Sequence, residues 1–329
     1  MTHAARHSIN DGLRTSPHPH GTGYEILRVW VLQLVAFCAV LAGCASNPQT
    51  LAIPRASEEL LRPSRGTKNY PEVVGAIMSY MVRELKLPNV DGVVIVYPSQ
   101  VAYEEGVVAE SERDIERIKS QLGPAGNQIK IEEVVLAARR MAVSSVAVGM
   151  YRKILVNDSR AGNQSWSGWV RVLAHELTHS AEREIVGGRF TLADQWVREG
   201  FADWVGYKVV EAFGGENLAS GREQVLKLIA NAKAYQTFPS LSQLGRNLEW
   251  TTWLRNRGHA ATYGQAFIAV DFLIEQRGVA AVTEYFRMSG TVNDRERNFG
   301  AAFGESLPDF EKKFEIQLQT LLQNTKTVI

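Results

Sequence analysis

The chain has 329 residues, 36 Lys and Arg against 35 Asp and Glu, and 45% hydrophobic residues. Such a length and composition fit an ordinary globular protein of one large domain or two smaller ones. The balanced charge, with no dense basic run, argues against a nucleic-acid partner, because phosphate binding needs concentrated Lys and Arg.

The first segment with a recognisable pattern is Val29 to Val40 (VWVLQLVAFCAV), an apolar run preceded by Arg28. It has the length of a signal-peptide core and is short for a bilayer span. It closes on Leu41-Ala42-Gly43-Cys44, which resembles the lipobox of bacterial lipoproteins. The resemblance implies cleavage before Cys44, lipidation of that residue and a membrane anchor. With Ala45 following, it implies the outer membrane facing the periplasm in a diderm host. The polar stretch before Arg28 is long for a signal, so either the signal is extended or the true start lies near Leu27. Removing residues 1–43 takes three basic and two acidic residues and leaves 33 of each. It also takes Cys38, so Cys44 is the only remaining cysteine and no disulfide framework is available.

From Cys44 to about Tyr70 the chain is rich in Pro, Ser, Asn and Arg and reads as a tether, 44–70. Apolar residues at helical spacing, from Val74 to Leu85, predict a helix over 71–87 that stops at Pro88. Gly92 to Tyr97 (GVVIVY) predicts a buried strand, and 111–122 a charged, exposed helix. Met141 to Asp158 predicts a hairpin turning at Met150 to Arg152. From residue 166 the pattern is mostly helical, with Gly187-Gly188, Gly214-Gly215 and Gly278 as stops. Capping-box-like starts occur at Thr191 to Asp194 and Ser306 to Asp309. Residues 71–165 thus read as an α/β part and 166–329 as a helical part of one domain, giving an α+β fold with a small mixed sheet. Most of the many Trp residues are expected in the core.

The chemistry is concentrated in residues 175–179, His-Glu-Leu-Thr-His. Histidines at i and i+4 share one helix face, which lets both imidazoles reach one tetrahedral zinc, one ion per chain. Glu176 is rotated by about 100°, so it is placed to hold the attacking water and take its proton rather than to ligate. The surrounding WVRVLAHELTHSAER keeps helical periodicity at Val172, Leu173, Leu177 and Ala181. A third ligand is needed, and Ile185 occupies the place where a third histidine would follow at short spacing. Glu199, in WVREGFADW, is the natural alternative, because a short turn at Gly187-Gly188 would fold its helix back on the first. Glu182 and Glu184 compete, but both continue the motif helix and reach the metal poorly. Asp203, one turn beyond Glu199, is placed to accept the free N–H of a ligating histidine. Gly200 between them is costly in a helix and is explained by a close approach to the metal site.

HELTH followed twenty residues later by EGFAD resembles the gluzincins of the peptidase MA clan, the thermolysin-like set. The resemblance covers about residues 140–322 and is strongest at these two segments. It implies a zincin-like fold and peptide-bond hydrolysis, with Glu199 as third ligand and Asp203 behind it. It also implies an edge strand before the motif helix that receives the substrate backbone, a place filled in sequence by Lys153 to Asp158. Related enzymes carry a Tyr or His from the C-terminal half that stabilises the oxyanion, here Tyr263 or His259. No segment for holding a free substrate amine is present, which favours an endopeptidase over an aminopeptidase. The alternatives are a binding or assembly lipoprotein that uses the peptidase scaffold without turnover, and a zinc hydrolase acting on a non-peptide amide.

Overall fold

Period-two alternation sorts the strand residues of the sheet into two cores. The computed structural model describes residues 47–60, 62–64, 68–122, 130–189, 191–232 and 238–326. The signal, the lipobox and Cys44 lie outside them. Four strands, β1 (Gln49–Ala52), β2 (Val93–Tyr97), β3 (Ala147–Met150) and β4 (Lys153–Asn157), form one sheet in the order β1-β2-β4-β3. β1 runs antiparallel to β2, β2 parallel to β4, and β3 antiparallel to β4, with Val93 opposite Lys153 and Ala147 opposite Val156. Val94, Val96, Ile154 and Val156 enter the main core, while Tyr97 and Leu155 enter a smaller cluster on the other face. That smaller cluster is closed by Tyr103 and Val107 of α2 (Gln100–Leu122) and by Ala138 and Ala142 of α3 (Ile131–Ser144).

The main core is built on α1 (Tyr70–Arg83) and the helices that follow the sheet. Asn69 caps α1, with Pro71 in its first turn, where a missing N–H costs nothing. After the single turn α4 (Asp158–Ala161) come α5 (Trp166–Ile185), α6 (Gln195–Ala212), α7 (Leu218–Asn231), α8 (Asn247–Arg257), α9 (Tyr263–Ser289), α10 (Arg295–Phe303) and α11 (Leu307–Lys326). Glycines end these helices as the sequence predicts. Gly187, Gly188 and Gly214 have positive φ, and Gly278, at φ +76°, breaks α9. Trp169, Trp196 and Trp250 are fully buried. The chain is therefore a mixed α+β protein with a small mixed sheet and a mostly helical C-terminal half.

Several local expectations are corrected. Gln49–Ala52, within the stretch read as a tether, is a strand paired with β2, and Ile53 after it is buried. The helix read as exposed over 111–122 extends back to Gln100 and buries one face at Tyr103, Val107 and Ile115, and the residues Met141 to Ser144, read as strand, finish α3. β4 is not the edge strand. It lies between β2 and β3, and Asp158 already belongs to a helical turn, so the edge facing α5 is β3.

The cap at Ser306 forms as expected, with its hydroxyl accepting from the Asp309 N–H at 3.2 Å. The one at Asp194 does not. Asp194 occupies the N-cap position of α6, but its fully buried carboxylate accepts from the Tyr285 hydroxyl at 2.6 Å and pairs with Arg295. Burial raises the pKa of Asp194 and the Arg295 charge opposes that rise. The start of α6 is thereby tied to α9 and α10.

Candidate metal centre

Contacts between α5 and α6 run in opposite chain directions. Arg171 meets Tyr207, His175 meets Asp203, and Glu182 meets Arg198, so the two helices are antiparallel. α5 is started by the Ser165 hydroxyl, which accepts from the Gly168 N–H at 3.1 Å, and stopped at Val186 before the two left-handed glycines. This turn brings Glu199 back to the pair of histidines, as the spacing predicts.

The three candidate ligand atoms form a nearly equilateral triangle. His175 Nε2 lies 3.1 Å from His179 Nε2 and 3.3 Å from Glu199 Oε2, and His179 Nε2 lies 3.5 Å from Glu199 Oε2. Bonds of about 2.0–2.1 Å at tetrahedral angles require donor separations of about 3.3–3.4 Å. His175, His179 and Glu199 therefore fit one small tetrahedral cation, and they form the one such group among the described residues.

The far sides of the imidazoles support this. Asp203 Oδ1 sits 2.9 Å from His175 Nδ1, and Glu182 Oε2 sits 3.4 Å from His179 Nδ1. With those nitrogens donating, both Nε2 atoms present lone pairs to the centre of the triangle. Lone pairs and a carboxylate at these separations repel unless a positive charge lies between them. The surrounding carboxylates favour a cation between the rings, a proton when no metal is bound. Burial works against protonation of His179, but Glu199 and Glu182 push its pKa up to about 9. His175 is raised well above the ordinary value, because Asp203 and Glu199 outweigh burial. Glu199 is held well below the carboxylate range, burial being outweighed by the two imidazoles.

Glu199 is fixed on its other oxygen by Gln195, whose Nε2 donates to Oε1 at 2.6 Å. Glu182, a competing ligand in the sequence, instead accepts from Arg198 Nε at 2.6 Å while supporting His179. This carboxylate and its arginine complete a second imidazole support that sequence reasoning missed. The signal was present in its i+3 spacing from His179. Gly200 is also reassigned. A Cβ there would lie 2.3 Å from the Ala266 carbonyl oxygen, so the glycine serves the contact of α6 with α9 rather than an approach to the metal.

Glu176 stands beside the triangle without joining it. Its Oε2 accepts from the Gly149 N–H of β3 at 2.6 Å, and burial raises its pKa above the ordinary carboxylate value despite the neighbouring imidazoles. Gly149 is required by this approach, since a Cβ would fall 2.9 Å from Glu176 Oε2.

A cavity of about 350 Å³ opens on the site, bounded by Ala147 of β3, by His175 and Glu176, and by Tyr263 and His259. Tyr263 begins α9, its ring 6.4 Å from that of His175 and packed edge-on against Trp250. Its hydroxyl pKa is raised well above the ordinary value by the Glu199 charge first and by burial next. His259, exposed on the preceding 3-10 turn (His259–Ala261), stacks on Tyr263 with centroids 5.0 Å apart. Of the two oxyanion candidates, Tyr263 is the more enclosed.

No family model matches the chain, and no curated protein or solved structure matches it at a significant level.

Proposed function

We propose that the chain is a zinc-dependent peptidase of the gluzincin type, anchored to the cell envelope through Cys44 and cleaving peptide bonds within protein or peptide chains. The observation that carries this reading is the triangle of His175, His179 and Glu199 beside an unligating Glu176, in a cavity walled by a sheet edge. Two nitrogens and a carboxylate oxygen are the donor set of catalytic zinc sites, which keep a position open. A zinc ion held there supplies a Lewis acid that polarises a carbonyl and acidifies water.

The remaining chemistry belongs to the chain. β3 offers the backbone of an edge strand to an extended substrate. Glu176, made more basic by burial and oriented by the Gly149 N–H, takes a proton from the attacking water and returns it to the departing amine. The Tyr263 hydroxyl, kept protonated by the carboxylates near it, donates to the oxygen that gains charge on the scissile carbonyl. Asp203 and Glu182 hold the imidazoles in the tautomer that leaves Nε2 free. Among the described residues no helix is long and apolar enough to cross a membrane.

The test is metal analysis and peptide hydrolysis on the full chain. About one zinc per chain is expected, lost in Glu199→Ala and kept in Glu176→Gln, with hydrolysis abolished in both. Zinc retained by Glu199→Ala would reject the ligand assignment. Zinc bound without hydrolysis of any peptide would turn the reading toward a binding lipoprotein on the same scaffold.

A further inference from the structure

The wall of the cavity contains one cation that the hydrolytic chemistry does not use. Arg171 lies four residues before His175 on α5, which places it on the same helix face, about 6 Å along the axis. It lines the cavity together with His175 and Glu176. Its Nη1 donates to the Tyr207 hydroxyl, and its guanidinium carbon lies 4.7 Å from the centroid of the Tyr207 ring. Both contacts orient the guanidinium, and neither neutralises it, because the partner is an uncharged phenol. Among the described residues no carboxylate lies within 4.0 Å of its nitrogens, and the nearby Asp203 is committed to His175.

The packing around Arg171 is built to keep it in place. Gly206 lies under its stem, where a Cβ would come within 2.8 Å of Arg171 Cγ and 3.0 Å of its carbonyl oxygen. Tyr207 is itself held by the Phe267 ring at 4.8 Å between centroids. Apart from Asp203 and Tyr207, the wall on this side is apolar, with Val172, Val225 and Phe267. A planar cation, fixed by an aromatic and flanked by apolar surface, is suited to bidentate pairing with a carboxylate and weakly suited to any neutral group.

We infer that Arg171 is a specificity-determining residue that binds a carboxylate of the substrate. The inference rests on the peptidase reading of the site. An extended peptide advances about 3.3 Å per residue, so the bound carboxylate belongs to a residue within about two positions of the scissile bond. It is supplied either by an acidic side chain, which leaves the enzyme an endopeptidase, or by the C-terminal carboxylate of a short peptide.

The test uses the full-length Glu176→Gln protein, in which binding is read without turnover. Calorimetric titrations compare four eight-residue peptides that differ only in Glu against Gln near the centre and in a free against an amidated C-terminus. At least one carboxylate is expected to tighten binding about tenfold, and the member of the set that does so identifies its source. Adding Arg171→Met is expected to erase that preference while leaving the affinity for the doubly neutral peptide within about twofold. Arg171→Lys should recover part of it, and Tyr207→Phe, which keeps the ring, should weaken it. Equal binding of all four peptides, no binding of any, or a preference that survives Arg171→Met would overturn the assignment. Hydrolysis by the wild-type protein is scored separately. A carboxylate preference without hydrolysis rejects the peptidase reading and keeps the site, whereas hydrolysis without a preference does the reverse.

Discussion

The contact between Gly149 and Glu176 allows one perturbation to be worked through from its geometry. Gly149→Ala adds a single carbon to β3 at a position where φ is not positive, so the backbone tolerates alanine. That carbon would lie 2.9 Å from Glu176 Oε2, 3.6 Å from the Glu176 carbonyl oxygen and 4.0 Å from His179 Cβ. Only the first distance is too short. Restoring ordinary contact, 3.4 Å or more, moves the carboxylate by about half an ångström and stretches its 2.6 Å bond to the Gly149 N–H toward about 3.1 Å. The moving atom ends a flexible side chain, so stability should change by less than about 1 kcal/mol, the loss of a glycine offsetting the strain. Catalysis should suffer more, because misplacing a reacting group by about 1 Å costs on the order of 100-fold. For about half that displacement the expected result is a kcat lowered about 10-fold with KM within about threefold. Zinc content and the urea midpoint should be unchanged. An unchanged kcat would refute the role given to Glu176 and its strand contact, and loss of zinc would show that the strand supports the ligands instead.

Three further outcomes follow from neighbouring contacts. Gly200→Ala drives a Cβ to 2.3 Å from the Ala266 carbonyl oxygen and 2.7 Å from Val270 Cγ2, both on a buried helix, and should cost about 3 kcal/mol or more in urea unfolding. A cost below about 1 kcal/mol would mean that α6 and α9 can separate without loss. Glu182→Gln weakens the support of His179 and leaves Arg198 buried without its charge partner, so zinc affinity measured by competition with a chelator should fall about 10- to 100-fold. Tyr80 is pushed up to about 12 by burial first and by Glu211 and Glu84 next. A phenol whose folded pKa lies above its unfolded value near 10 contributes stability that is complete below about pH 10 and lost as pH rises toward 12. The full shift would be worth about 2.7 kcal/mol, and about 1–2 kcal/mol after screening by solvent near the surface. Tyr80→Phe should flatten the fall in stability over that interval by this amount, and an unchanged slope would reject the assignment.

The parts of the fold that were legible in the sequence are those decided within a few residues. The motif helix shows its apolar face at Val172, Leu173 and Leu177 and its stop at two glycines. The spacing from His179 to Glu199 then permits only a tight turn and an antiparallel return. The parts that were misread depend on distant partners. Gln49–Ala52 carries no alternating apolar pattern and becomes a strand because β2 offers it an edge. Met141 to Ser144 resembles the strand that follows it, yet the amphipathic helix begun at Ile131 continues through it. Whether β3 or β4 lies at the edge is a question of sheet order, on which local pattern is silent. Gly200 was rightly read as a point of close approach, but its partner was a helix some sixty residues further along the chain.

The contact of Gly200 with α9 explains how the helical half serves the centre. Glu199 must reach the histidines from a separate helix, so its position is only as exact as the placement of α6. Two contacts fix that placement from beyond the motif. At the start of α6 the buried Asp194 is held by Tyr285 and Arg295, and nearly two turns later Gly200 lets α6 settle against the backbone of α9. α9 also carries Tyr263 into the cavity, so the helix that seats the third ligand also delivers the phenol whose pKa that ligand's charge raises. Loosening the Asp194 tie should therefore shift Glu199 and Tyr263 together, and the cost should appear in zinc affinity and turnover before the sheet is affected.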